Sequence, residues 1–181
     1  MMKMIKESNL NILFTKESIQ NEIYNLSNKL NEYYKNEELY LICVLKGAVM
    51  FMTDLSKHLK MPLRMEFIKL SSYGSGFSSS GKVSAVDIAL PDLNDKNVLI
   101  IEDIIDTGHT AKFLIDFISH NFKTKTWKFC SLLDKKCKRE VEIDANYYCF
   151  EVDNKFLVGY GLDYDGYYRN LPYIGYIKEV E

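Results

Sequence analysis

VLIIEDIIDTGHT, residues 98–110, starts as an unbroken apolar run and ends in acids, a Thr-Gly pair and the opening of a helix. A strand covered on both faces reads as continuously apolar, and Asn97–Ile101 has that character. It runs into Glu102 and Asp103, and Asp106 follows three residues later, beside Thr107 and Gly108. The next helix is predicted to begin at His109 or Thr110. Ligands of open α/β sheets sit at the carboxyl ends of strands. A Thr-Gly turn opening a helix offers free N–H groups and the positive end of a dipole, which suits a phosphate. Paired carboxylates next to it suit a sugar's vicinal hydroxyls or a divalent cation. The plainer alternative is that Asp106 or Thr107 only caps the helix, while Glu102 and Asp103 end a strand in solvent. Three acids so close behind a hydrophobic strand fit that alternative poorly.

Working outward, Thr15–Tyr34 reads as an amphipathic helix. Thr15 is its N-cap, and Ile19, Ile23, Leu26, Leu30 and Tyr33 form its inner face. Leu39–Leu45 reads as a doubly covered strand, broken by Lys46-Gly47. A helix follows with Ala48, Phe51, Met52, Leu55 and Leu59 on one side. Leu63–Leu70 and Val83–Leu90 read as strands around SSYGSGFSSSG (71–81), a Ser/Gly-rich loop. Ala111, Leu114, Ile115 and Ile118 line the helix after the acidic turn, and Thr126–Leu133 is a further strand. From Tyr147 onward, short aromatic strands alternate with Gly turns. The order implies an α/β fold, with a mainly parallel twisted sheet flanked by helices. A single domain is expected over 1–181, with its core at about 39–145. A small hood would come from about 1–14 and 146–181, with the N-terminal helix assigned to it as well.

Composition narrows the function classes. The chain of 181 residues is 47% hydrophobic and 27% charged, with a formal net charge of −2. A general nucleic-acid binder usually carries a strong basic excess, so no nucleic-acid partner is expected. No run approaches the ~20 apolar residues of a membrane span, and the N-terminus does not read as a signal peptide. Cys43, Cys130, Cys137 and Cys149 lack metal or redox spacing. Cys43 and Cys130 lie in apolar runs, as buried free thiols do. This points to a reducing, cytoplasmic setting.

VLIIEDIIDTGHT resembles the PRPP-binding signature of type I phosphoribosyltransferases; PRPP is phosphoribosyl pyrophosphate. The resemblance runs on through LKGA (45–48), SSYGSGFSSSGKV (71–83), SLLDKK (131–136), KFLVGYGLDY (155–164) and YRNLPYIG (168–175). It covers about 39–177, and 155–175 narrows it to the hypoxanthine-guanine branch. Ala48 departs from the pattern, where Gly or Ser is frequent, but it is small enough to leave the loop intact.

The resemblance implies transfer of a phosphoribosyl group from PRPP to hypoxanthine or guanine, giving IMP or GMP and pyrophosphate, with Mg2+ as cofactor. Glu102 and Asp103 would hold the ribose hydroxyls and the metal environment. Asp106, Thr107, Gly108, His109 and Thr110 would take the 5′-phosphate, His109 through its backbone and with no catalytic part. Asp106 would also be the general base. Lys46 and Gly47, after a cis peptide, would take pyrophosphate, together with Arg169 and a lid carrying Ser72 and Tyr73. A lid would keep water from an oxocarbenium-like sugar. Lys135, alone in the charged run DKKCKRE, would turn inward to the purine O6. Phe156 would stack on the base, the Leu157 main chain would read its edge, and Asp163 would lie at the purine too and help to hold a second Mg2+. A homodimer or homotetramer is implied.

Two other classes compete. A transcriptional regulator built on the same pocket would show a basic face or an added DNA-binding module. A phosphoacceptor receiver domain would run near ~120 residues and would have no use for the lid or for 155–175. The stretch Asp163-Tyr-Asp165-Gly166 lacks the ligand pattern of a calcium loop.

Overall fold

The computed structural model describes residues 10–72 and 83–177. The chain runs β1 (Leu10–Phe14), α1 (Lys16–Tyr34), β2 (Leu39–Leu45), α2 (Val49–Ser56), β3 (Leu63–Ser72) and β4 (Val83–Asp87). It continues with β5 (Asn97–Ile105), α3 (His109–Asn121), β6 (Thr126–Asp134), β7 (Tyr147–Glu151), β8 (Leu157–Val158) and β9 (Ile174–Ile177). The larger sheet has the order β4-β3-β2-β5-β6-β7. Its five strands from β3 to β7 are parallel, and β4 lies antiparallel on β3. From β2 the chain steps one way, to β3. From β5 it steps the other way, to β6 and β7. The order therefore reverses between β2 and β5, where an open α/β sheet leaves its ligand crevice.

The apolar run of β2 works on both faces, because successive side chains alternate. Leu39, Leu41 and Cys43 pack in one cluster with α1 and α2. Tyr40, Ile42 and Val44 pack in another with α3. Thr15 caps α1, its hydroxyl accepting from the Ser18 N–H at 3.2 Å. The buried stripe of α1 is Ile19, Ile23, Leu26, Leu30 and Tyr34. Tyr34, not Tyr33, completes it: Tyr33 stays 49% exposed with the Lys128 ammonium over its ring.

Three boundaries differ from expectation. α1 belongs to the helical layer on the large sheet rather than to the hood, because its apolar stripe covers the bare face of β2. β7 pairs in parallel with β6, so the large sheet extends past residue 145 into the region assigned to the hood. Its aromatic composition suits a strand of either sheet, so composition does not separate the two. Ser71 and Ser72 still pair within β3, opposite Ser84 and Val83. The rest of the expected lid, from Tyr73 to Gly81, lies outside the described residues.

The hood is a three-stranded antiparallel sheet in the order β1-β9-β8. Leu10, Val158, Tyr168 and Leu171 form its own small core. One polar junction fastens it to the helical layer. The Tyr160 hydroxyl donates to Asp54 Oδ2 at 2.7 Å, as does Gln20 Nε2 at 2.7 Å, while Lys57 Nζ donates to Oδ1 at 2.8 Å. Burial alone would raise the Asp54 carboxyl, but the donors Lys57, Tyr160 and Gln20 outweigh it and hold the group below its usual range. Tyr160→Phe removes one donor to a carboxylate that keeps two others. It should lower stability by about 1–2 kcal/mol, read as a drop in melting temperature at neutral pH.

Candidate active site

The carboxyl ends of β2 and β5 open the site. After β2 the chain turns through Leu45, Lys46 and Gly47, and the Leu45–Lys46 peptide is cis. A Cβ placed on Gly47 would fall 1.6 Å from Asp103 Oδ2, so the carboxylate fills the space a side chain would need. From the hood, Gly161 closes on the same loop. Its φ is +103°, and a Cβ there would lie 2.0 Å from the Gly47 carbonyl oxygen. Only glycine adopts that backbone readily. Strand and loop thus meet through the Asp103 carboxylate alone at this point, and loop and hood meet backbone to backbone.

Two adjoining hollows follow. The larger, about 220 Å³, is lined by Lys46, Gly47, Glu102, Asp103, Asp163 and Arg169, among others. The smaller, about 80 Å³, is lined by Asp106, Thr107, Gly108 and Ala111 and shares Glu102 and Thr110 with the first. Residues expected at the pyrophosphate, the ribose and the 5′-phosphate are therefore brought side by side. β5 runs on to Ile105, so Glu102 and Asp103 lie within the strand rather than just beyond it. Neighbours on a strand point to opposite faces. That accounts for Asp103 meeting Gly47 while Glu102 also reaches the turn under α3.

The electrostatics are strained. Burial pushes the Glu102 carboxyl well above its usual range; the Asp103 charge adds to this and Arg139 opposes it. Burial pushes Asp103 up to about 6, against hydrogen bonds from backbone N–H groups and the charge of Arg169. Arg169 spans the hood side of the hollow. Its Nη2 pairs with Asp163 Oδ1 at 2.6 Å, and its Nη1 donates to the Gly161 carbonyl at 2.5 Å. Asp163 Oδ2 also accepts from the Gly166 N–H at 2.8 Å. Cys43, behind the site, is pushed up to about 12 by burial and by Asp103, which leaves it a poor nucleophile. Shifted acids lining a cleft mark a functional site.

Lys135 is the inward-turning lysine of its run. It is 7% exposed, and its Nζ lies 3.4 Å from Asp106 Oδ2, while Lys136 and Lys138 are exposed. The other oxygen of Asp106, Oδ1, is buried without a hydrogen-bond partner among the described residues. Sequence reasoning missed Asp134 and Arg139, which form a buried ion pair behind the turn. The signal was there in weak form: Asp134 ends a strand whose later part, 129–133, is apolar but for Ser131.

Other expected residues stand apart. The His109 ring turns away to Glu140, 2.8 Å distant, and lines neither hollow. Phe156 and Leu157 line neither hollow. Leu157 is buried in β8, whereas Phe156 precedes that strand, 46% exposed, with its ring edge-to-face on Tyr164 at 5.5 Å. The Ser72 side chain and Tyr73 fall outside the described positions. Among the described residues, no three His, Cys, Asp or Glu side chains converge tightly enough to hold a metal by themselves. No helix among them is long and apolar enough to cross a membrane.

Asp103 gives a pH test. Its carboxyl titrates near 6 in the folded chain against an ordinary 3.8, so ionisation opposes folding. The penalty grows as pH rises through that window and is complete above it. Asp103→Asn should therefore raise the melting temperature of the ligand-free protein at about pH 7.5, by a margin that shrinks as pH falls below about 6. Melting curves across that range check it; an equal gain at every pH would refute the assignment.

Comparison with known proteins agrees with this geometry. The phosphoribosyl transferase domain family matches residues 11–165. A hypoxanthine-guanine phosphoribosyltransferase of Streptococcus thermophilus is 43% identical over 176 residues, 97% of each chain. A hypoxanthine phosphoribosyltransferase of Staphylococcus aureus superposes with a TM-score of 0.90 at 38% identity, over 98% of this chain and 97% of that one. A hypoxanthine-guanine phosphoribosyltransferase of Bacillus anthracis gives 0.86 at 39% identity, over 92% and 98%. With a strand-end acid pair, a Thr-Gly turn and a glycine-lined loop gathered at the sheet's switch point, the chain belongs to the phosphoribosyl transferase family.

Proposed function

We propose that this chain is a purine-salvage enzyme. It displaces pyrophosphate from C1 of PRPP with the imidazole nitrogen of hypoxanthine or guanine, giving IMP or GMP. The observation that carries the base specificity is Lys135 Nζ beside Asp106 Oδ2, at 3.4 Å. A 6-oxopurine presents O6 and N7 on one edge. An ammonium and a carboxylate side by side match that edge, the lysine donating to O6 and the aspartate holding the N7 proton. Adenine carries a donor in place of O6 and would leave a buried ammonium unpaired, which is costly.

The other roles follow the hollows. The turn 106–110 takes the 5′-phosphate through backbone N–H groups and the start of α3. Glu102 and Asp103 take the ribose hydroxyls. Lys46, Gly47 and Arg169 take the pyrophosphate, with Ser72 and Tyr73 closing over it. Phe156 stacks on the base and the Leu157 main chain reads its edge.

Glu102, Asp103 and Asp163 offer only oxygen donors, which suits a hard cation. Mg2+ binds through one or two carboxylates plus substrate phosphates and water, so separate acids fit it better than a closed cage. When bound, Mg2+ neutralises the leaving pyrophosphate.

A homodimer or homotetramer fits Met65 and Phe67. They lie on one face of β3, half exposed, in register with the buried Leu41 and Cys43. The four free cysteines suit a cytoplasmic setting.

The direct test is pyrophosphate release from PRPP with hypoxanthine, guanine, xanthine and adenine in turn. Release with the 6-oxopurines and not with adenine is the expected pattern; release with adenine alone, or with none, would overturn the reading. Lys135→Ala should raise KM for hypoxanthine about 10- to 100-fold, the loss of one charge-assisted hydrogen bond. KM for PRPP should stay near its starting value, and equal losses for both substrates would count against the role. Asp106→Asn should keep the fold and PRPP binding while kcat falls by roughly 10²–10⁴. A lowered melting point with normal kcat would make Asp106 a helix cap instead.

A further inference from the structure

The turn between β5 and α3 is held from behind, carbonyl by carbonyl. The Ile105 carbonyl accepts from the Lys135 N–H at 2.9 Å. The Thr107 carbonyl accepts from the Glu140 N–H at 3.0 Å and the Val141 N–H at 3.3 Å, and the Gly108 carbonyl from the Lys112 N–H at 2.9 Å. Between them, the Asp106 carbonyl accepts from Arg139 Nε at 3.3 Å. It is the one of these four carbonyls held by a side chain.

A trans peptide is planar, so its N–H points opposite to its C=O. Fixing the Asp106 and Thr107 carbonyls toward 135–141 aims the Thr107 and Gly108 N–H groups the other way. Thr107 and Gly108 line the small hollow, whereas Arg139, Glu140 and Val141 on the carbonyl side do not. Successive N–H groups converging on one concavity form an anion cradle.

Arg139 is itself held at every nitrogen. Nη2 pairs with Asp134 Oδ1 and Nη1 donates to the Ile143 carbonyl, leaving Nε for Asp106. Asp134 is 1% exposed at the end of β6, in register with Ile105. The Arg139 stem also fills the space beneath the turn: a Cβ on Gly108 would lie 3.0 Å from Arg139 Cδ. The guanidinium fork therefore ties the end of β6 to the peptide that presents the anion-binding N–H groups. It lies behind the turn and lines neither hollow.

We infer that Arg139, braced by Asp134, is a positioning residue that sets the affinity of the 5′-phosphate turn. This rests on the phosphoribosyl transfer proposed above. Removing Arg139 alone would strand a buried carboxylate and destabilise the fold, so two gentler variants are used. Arg139→Lys keeps the charge but lacks the fork that bonds three acceptors at once. The pair Asp134→Asn with Arg139→Met removes both charges together.

The probe is ribose 5-phosphate, its dissociation constant measured by calorimetry beside KM for PRPP and for hypoxanthine. Both variants should weaken ribose 5-phosphate and raise KM for PRPP roughly tenfold. KM for hypoxanthine at saturating PRPP should stay near the wild-type value. A lower melting temperature with unchanged ribose 5-phosphate affinity would make the pair a structural fastener and overturn the inference. So would a parallel rise in both KM values. Unmodified protein that neither binds ribose 5-phosphate nor releases pyrophosphate from PRPP would instead overturn the functional reading itself.

Discussion

β2 and β5 pair in parallel from Leu39 beside Asn97 to Cys43 beside Ile101, and there they part. Up to that point each strand satisfies the other's backbone and both faces are covered by helices. Beyond it, Leu45–Gly47 swings off on one side, and Glu102 onward keeps company with β6 on the other. The gap arises because the chain leaves β2 and β5 in opposite directions across the sheet. No strand can fill it, so it is closed by loops and by the hood. The hollows, the acid pair and the glycine contacts all depend on this parting.

Two carboxylates at the end of such a crevice cost stability. Asp103 and Glu102 are both pushed upward, burial being the larger cause in each. Among the described residues, Arg139 opposes the shift of Glu102 only in part, and Arg169, which faces Asp103, is already shared with Asp163 and the Gly161 carbonyl. A ligand rich in hydroxyls and accompanied by a cation would relieve that burden on binding. Strain relieved in that way would add to the binding energy, and it is of the kind active sites retain at the expense of the apo fold. The large core above and below β2 and β5 is what tolerates it.

The sheet was legible because strands such as β2 and β5 open as apolar runs between clear breaks, and because stripes spaced at three and four, such as Ile19, Ile23, Leu26 and Leu30, admit one reading. The acidic turn was legible for a similar reason: charge at the end of a buried strand has few innocent explanations. What stayed hidden depended on partners distant in sequence. Tyr33 and Tyr34 are equally apolar, and only the position of β7 and β2 decides which is buried. Tyr160 reads as one more hood aromatic until Asp54 is found against it. Arg139 sits among lysines that do face solvent, and its role appears only when Asp106, Asp134 and Ile143 converge on it. The hood boundary was misplaced because aromatic strands of the two sheets look alike in composition.

The same logic separates the residues of the turn by what constrains them. Gly108 has φ +89°, and a Cβ there would press on Val141 at 2.7 Å, so backbone geometry alone excludes other residues. Asp106 is constrained by chemistry, with one oxygen near Lys135 and the other without a partner among the described residues. His109 is constrained by neither: its ring leaves the hollow for Glu140 on an exposed surface. If an anion is held by N–H groups, the side chain at 109 is free to vary while its peptide is not. A motif of this kind is therefore read better as a path of the backbone, fixed from behind by 135–141, than as a row of side chains aimed at a ligand.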